Sequence, residues 1–586
     1  MDMLNYIEDF QKNMVNMNES LKPSSEIPSS SFKLPIEYIS HSEINETILN
    51  DLEMNHEKSI YQHLLSSSKL DNLDNKSNIL DKWIKYYTTD KHFLKDTQKI
   101  IKRFDKKNLS NTDFNSFKQE YIEFKSETSF FDKYQYIGFN FLKPLNYSPL
   151  FLHFLSLYNL GSPLLALLSP LVILIVPFIV IKIKGYSITI ENYIEFLKHS
   201  LSENKIFKGL TNFNELDSQK KISGIFTIIF YIIQIYSNVV SCIKFYKNIY
   251  SITAFIEKYK TNIMNYRDIM SKTMIHIYKY PSYRHFYNDL KERRDSLDKT
   301  INKLNTVIYS DNIFVKLSQI GLIMNVYYEI FIDNIHHQNM TYAFDLCQYI
   351  NDLGYISTFV KNKKINKCKF GKKTIIKDGY YLPYINESFK TNDIELSKNI
   401  LITGPNAAGK TTIIKSLLIN TILSQQIGFG CYKHAVISLY DIFHSYLNIP
   451  DTSGRDSLFQ AEARRCKDIL DCITENPSKK HLCIFDEIYS GTNPNDAVMC
   501  ANLYLKYMNK NKQNVDYVIT THYIQMCESF EKDISEKSKN VINMKMDVIV
   551  NDDSIQYLYK LVKGISYVHG GKYVLKQLKY PDYLFE

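Results

Sequence analysis

Apolar and polar positions are distributed unevenly along the 586 residues. Residues 1–140 are polar and rich in Ser, Asn and Lys. Pro23–Ser31 reads as a linker, and Ile79–Tyr87 and Phe117–Phe124 have helical spacing. This predicts a small, partly disordered helical region without chemistry of its own. Then the character changes. No Asp, Glu, Lys or Arg occurs from Ser148 to Ile181, and Ile222–Ile243 is a second uncharged run, bracketed by Lys220, Lys221 and Lys244. Each is long enough to cross a bilayer as a helix. Pro163, Pro170 and Pro177 interrupt the first run. In a soluble helix each proline removes a hydrogen bond and clashes with the preceding turn, whereas membrane helices tolerate it when neighbours re-satisfy the backbone. Two readings of 141–245 stay open: a membrane hairpin through 148–181 and 222–243, or a buried core of short helices broken at the prolines. Over 246–365 the pattern is helical and charged, with Leu290, Leu297, Ile301, Leu304 and Ile308 on one face. This predicts a lever-like region or coiled arm with a solvated basic face. Strand-like and helix-like runs then follow one another through 366–586.

The length calls for two to four domains. A net charge of +9 permits contact with nucleic acid or an anionic membrane and singles out neither. Nine scattered cysteines form no C-x-x-C pair, which argues against a zinc ribbon or a thioredoxin-like motif. They fit reduced thiols in an intracellular compartment. Met1–Gln11 is acidic and not apolar, unlike a signal peptide.

The chemistry is concentrated near the C-terminus. Asn399–Thr403 reads as a buried strand. It is followed by Gly404, Pro405, Asn406, Ala407, Ala408, Gly409, Lys410, Thr411 and Thr412, and then by a helix through Gln426. This is G-x-x-x-x-G-K-[ST] between a strand and a helix. The glycines let backbone N–H groups point at phosphate oxygens, and the helix adds its positive end. Lys410 can reach the β- and γ-phosphates of a nucleotide, and the Thr411 hydroxyl can bind Mg²⁺. A second strand, His481–Phe485, ends in Asp486 and Glu487. Asp486 suits a magnesium site, and Glu487 suits orienting and polarising an attacking water. A third strand, Val515–Thr520, leads to Thr521 and His522, placed to sense a γ-phosphate. The cofactors expected are ATP and Mg²⁺.

Several of these segments resemble the MutS family of DNA mismatch-repair ATPases. Thr403–Thr412 resembles its phosphate loop. Asp486-Glu-Ile-Tyr-Ser-Gly-Thr492 is similar to its extended Walker B motif, and Thr521-His-Tyr523 to its switch histidine. Asn392–Leu396, Gln426–Gly428, Asp441–Phe443 and Tyr559–Gly564 resemble flanking family segments, and Ile350–Tyr355 echoes the end of the lever region. The resemblance implies an α/β P-loop ATPase domain of the ABC type over 366–586, preceded by mainly helical lever and N-terminal regions. It also implies that Ser453–Glu462 is the signature segment. Anchoring on Phe459 and Glu462 makes Ser457 the signature serine, which in the family contacts the ATP of the opposite subunit; Ser453-Gly454 is the alternative anchor. A homo- or heterodimer through the ATPase domain follows, with DNA as the implied partner.

The departures are equally specific. The family's N-terminal mismatch reader carries a Phe-x-Glu motif. Here Phe213-Asn-Glu215 and Phe255-Ile-Glu257 fit the letters, but in or just after the apolar region. The expected function is therefore MutS-type ATP hydrolysis linked to DNA repair or recombination. The alternative is a membrane-associated MutS-like ATPase that does not recognise mismatches. An ABC transporter subunit is disfavoured, because no Leu-Ser-Gly-Gly-Gln precedes Asp486.

Overall fold

The computed structural model describes residues 31–56, 59–65, 78–104, 114–185, 189–195, 218–308, 312–382, 389–447, 449, 457–510, 514–532, 540–551, 554–568, 570–578 and 580–581. Most of the expected linker Pro23–Ser31, the alternative anchor Ser453-Gly454 and Phe213–Glu215 lie outside them. The chain forms two compact units.

The first unit takes residues 113–268 and 293–340 and is built of helices. Two are long: α1, Pro149–Ile183, and α2, Ser218–Ile277. Its core is aromatic. Phe124 packs on Phe255 with ring centroids 4.4 Å apart, Tyr121 stacks on Tyr259, and Phe130 stacks on Phe331. Phe255, the first letter of Phe255-Ile-Glu257, is thus partly buried and packed among the rings of this helical unit. Helix α1 continues through Pro163, Pro170 and Pro177, so the expectation of short proline-broken helices does not hold. Burial fails as well. Leu164, Leu167 and Ile175 on α1 and Phe226, Phe230 and Ile232 on α2 are exposed.

The second unit takes residues 30–112, 269–292 and 341–586. Residues 30–112, part of the polar region read from the sequence as separate, thus share a unit with the α/β region. Eleven strands are described in the α/β region, and they form two sheets. Strands β1 (Asn366–Gly371), β2 (Ile375–Gly379), β3 (Asn392–Glu395), β5 (Phe429–Gly430) and β6 (His434–Ser438) make a five-stranded sheet in the order β3-β2-β6-β1-β5. Strands β4 (Asn399–Thr403), β7 (Ile442–Tyr446), β8 (His481–Asp486), β9 (Val515–Thr521), β10 (Val541–Val550) and β11 (Ile555–Lys563) make a six-stranded sheet, β11-β10-β4-β9-β8-β7. It is parallel except for the terminal β10–β11 hairpin. Ile400, Leu401 and Ile402 of β4 and Leu482–Phe485 of β8 are buried without alternation, as expected of parallel strands covered on both faces.

Helix α3, Lys410–Ile427, is buried almost throughout, including its polar end. Residues 30–112 explain how that end is satisfied. Tyr61 Oη donates to Gln426 Oε1 at 2.6 Å, and Gln426 Nε2 donates to the Trp83 carbonyl at 2.9 Å. The Thr88 N–H donates to the Gln425 carbonyl, and Gln98 Nε2 to that of Gly428. Beside β7, the buried Asp51 carboxylate accepts from Ser445 Oγ at 2.7 Å and pairs with Arg465 at 3.5 Å. Arg465 lies on helix α4, Leu458–Glu475. All nine cysteines are free thiols.

Candidate functional site

The loop after β4 reaches α3 through two unusual backbone residues. Ala407 has φ +63° and Gly409 has φ +91°. A Cβ at Gly409 would be strained at that φ and would meet the Tyr559 ring at 3.2 Å. At Gly404 a Cβ would meet Met546 Cβ at 2.9 Å. The two glycines therefore permit a tight turn and a close approach to the β10–β11 hairpin.

Lys410 opens α3 with its side chain buried. Its Nζ donates to the Gly404 carbonyl at 2.9 Å and that of Pro405 at 3.3 Å, and lies 3.4 Å from Glu487 Oε1. Burial pushes its ammonium below the usual lysine range, and Glu487 offsets this only in part. Thr411 Oγ1 donates to Asp486 Oδ2 at 2.7 Å, and Thr520 Oγ1 donates to Asp486 Oδ1. Strand β9 lies between β4 and β8, with Thr521 opposite Thr403 and Thr520 opposite Asp486. The ends of three parallel strands thus bring together Lys410, Thr411, Asp486, Glu487 and His522. Carboxyl ends of strands are where open α/β sheets bind ligands.

Glu487 has φ +53°, and its N–H bonds to the carbonyl and hydroxyl of Thr520. His522 Nε2 lies 2.7 Å from Glu487 Oε1. Burial pushes the Glu487 carboxyl up, but His522 and then Lys410 outweigh it and hold it below the usual range. An open cleft of about 620 Å³ adjoins the loop, lined by residues 405–413, Glu487, Tyr381, Phe389 and Tyr559 among others.

The cleft and its donors fit a nucleotide with a divalent cation. The buried ammonium lies in a loop with room for little besides backbone. The Thr411 hydroxyl and Asp486 carboxylate are close enough to share one ion.

A family model described as MutS domain V matches residues 400–586. Residues 400–586 are thus similar to MutS domain V. It is 30% identical over 238 residues to a DNA mismatch repair protein MutS of Clostridium tetani (strain Massachusetts / E88), covering 38% of this chain and 26% of that protein. A protein of the same name from Aquifex pyrophilus is 31% identical over 201 residues, covering 33% and 22%. One from Finegoldia magna is 32% identical over 181 residues, covering 30% and 20%. The chain thus matches about a quarter or less of the length of these relatives.

Ser457, the expected signature serine, caps α4. Its Oγ accepts from the Gln460 N–H, and Gln460 Oε1 accepts from its own. It is exposed and does not line the cleft. One turn along α4, Glu462 accepts from the N–H groups of Ser490 and Gly491, which ties α4 to the turn just after Glu487. Thr520, Glu462 and the aromatic rim were not singled out as site residues from the sequence. The pair Thr520-Thr521 before His522 was the available signal for the first.

Proposed function

We propose that this chain binds ATP with Mg²⁺ and hydrolyses it to ADP and phosphate in a P-loop domain of the ABC type. The observation that carries the reading is that Lys410, Thr411 and Glu487 line one cleft, with Asp486 bonded to Thr411 and His522 to Glu487. The loop N–H groups from Asn406 to Thr411 and the start of α3 cradle the phosphates. Lys410 turns from the Gly404 carbonyl to the β,γ-phosphates. Thr411 and Asp486 hold Mg²⁺, which when bound neutralises charge on the phosphate oxygens. Glu487 orients a water and accepts its proton as the water oxygen bonds the γ-phosphorus, and the bond from that phosphorus to the β,γ-bridging oxygen breaks. His522 holds the Glu487 carboxylate and reports the γ-phosphate. The rings of Tyr381, Phe389 and Tyr559 suit a planar base.

The exposed cap Ser457 supports a dimer in which it meets the nucleotide of the opposite subunit, as homo- or heterodimer. The free thiols support an intracellular, reducing location. The proteins it resembles are named for mismatch repair, and on that basis we assign it DNA as a partner in repair or recombination. The test is ATP turnover with no DNA, perfect duplex, and mismatched or branched duplex, with Glu487→Ala as the blank. Stimulation by imperfect duplex is the expected result. Turnover indifferent to every DNA would overturn the DNA assignment and leave the ATPase. Turnover equal to the blank would overturn the ATPase.

A further inference from the structure

We infer that α1 and α2 form a hairpin that inserts into the hydrocarbon core of a lipid bilayer. Three observations within the helical unit carry this, and none depends on the nucleotide site.

The first is a change of surroundings along one uninterrupted helix. Beyond Lys244, α2 buries Phe245, Ile252, Ile256, Tyr259 and Ile263, spaced three to seven residues apart, as a helix does when one face meets a protein core. From Ile222 to Ile243 the same helix is uncharged and mostly apolar, and Phe226, Phe230, Ile232 and Tyr236 are exposed. In the apolar windows of the two helices only 11% and 6% of residues are buried. So many large apolar side chains on one helix must be covered, and the protein does not cover them among the described residues.

The second is length and registry. Ile222–Ile243 spans 22 residues, or about 33 Å at ~1.5 Å per residue, against a hydrocarbon thickness of about 30 Å. The helices run antiparallel: Tyr231 reaches Ala166, and Cys242 reaches Leu160. Lys182 and Lys184 follow the first apolar run and Lys220 and Lys221 precede the second, so in an antiparallel pair both fall at the same end of the apolar band. Lys244 and Lys247 lie beyond the other end. Lysines at both boundaries suit anionic headgroups.

The third is how the prolines are accommodated. In a helix, Pro163 cannot donate to the Asn159 carbonyl, nor Pro170 to that of Ala166. Ser162 Oγ donates to the Asn159 carbonyl at 3.0 Å. Tyr231 Oη, from the other helix, donates to the Ala166 carbonyl at 3.0 Å. On a solvated surface water would supply these donors at no structural cost. Supplying them from within the hairpin is what a medium without hydrogen bonds requires.

The test uses the full chain, purified in detergent and reconstituted with vesicles of phosphatidylcholine and phosphatidylglycerol. The vesicles are floated through high salt and, separately, through alkaline carbonate. We expect the protein to float in both. The double variant Ile229→Lys, Ile232→Lys places charges on exposed positions at mid-band. It is expected to reduce recovery with vesicles at least tenfold and to leave ATP turnover unchanged, which shows that the variant is folded. Flotation lost in high salt would mean surface adhesion and overturn insertion. A defined, detergent-free oligomer extracted by carbonate would mean that a second copy covers the band, and would also overturn it. Lys410→Ala is expected to float like the parent, so failure of the ATPase reading leaves this result standing.

Discussion

His522 Nε2 sits 2.7 Å from Glu487 Oε1, and Lys410 Nζ is 3.4 Å from the same oxygen. One carboxylate oxygen therefore links the end of β9 to the start of α3 before any nucleotide contact. Removing that carboxylate should separate binding from chemistry. Glu487→Ala is expected to bind ATP and to lose turnover by roughly 10²–10⁴-fold. Filter binding of labelled ATP beside single-turnover hydrolysis checks this, and normal turnover would remove Glu487 from the mechanism.

Lys410 is aimed into the loop by its backbone bonds to Gly404 and Pro405. Lys410→Ala should abolish productive nucleotide binding. Saturating Mg²⁺–ATP at about 100 times its Kd should stabilise the parent by about 2.7 kcal/mol. The variant should show no such rise in thermal unfolding temperature. A rise equal to the parent's would refute the assignment.

Thr411 and Asp486 share a hydrogen bond at 2.7 Å, which a bound cation would replace. Chelation of divalent ions should stop turnover. Thr411→Val, which keeps the shape and loses the hydroxyl, should raise the Mg²⁺ concentration needed by roughly 10–100-fold, by analogy with lost metal-supporting contacts. A Mg²⁺ titration of the rate that superimposes on the parent's would exclude Thr411 as a ligand.

A buried histidine pair makes stability depend on pH. His481 Nε2 lies 3.0 Å from the Asn476 carbonyl, which can only accept, so that nitrogen carries the proton. His481 Nδ1 then accepts from His444 Nε2, 3.0 Å away. A second proton on His481 would set two donors face to face. Burial, followed by His481, pushes His444 down to about 3, and burial also lowers His481. The unfolded chain binds protons near pH 6.5, so the native state binds fewer below that. Stability should be full above about pH 6.5 and fall as pH drops towards 3, by about 1.4 kcal/mol per pH unit for each such group. Urea midpoints between neutral pH and about pH 4.5 test this. His444→Gln should have the shallower slope, and an unchanged slope would dismiss the pair as its source.

Asp51 is nearly inaccessible and joins Ser445, Leu447 and Arg465. Asp51→Ala leaves Arg465 facing unpaired donors and should destabilise the second unit by about 3 kcal/mol. Nucleotide affinity in the folded protein should change little. Denaturation followed at Trp83, which lies in the same segment, gives the readout. A stability loss below about 0.5 kcal/mol would show that residues 30–112 are not anchored there.

What could be read from the sequence follows from locality. Gly404–Thr412 carries its backbone requirements within nine residues, and the strand ends Asp486-Glu487 and Thr521-His522 are each contiguous. Their geometry is short-range, so the pattern alone points to them as candidates, and the lack of charge equally marks out the two apolar runs. What only the tertiary structure decided depends on pairs far apart in the chain. The carbonyl that Pro170 leaves without a helical donor, that of Ala166, is served by a tyrosine 65 residues away, Tyr231. The attachment of residues 30–112 to the α/β region turned on Asp51, Tyr61 and Gln98 meeting groups more than 250 residues distant. Such contacts leave no periodicity, because each is a single polar side chain satisfying one buried donor or acceptor. They exist only once the sheet and α3 have been buried and those polar groups can no longer reach water.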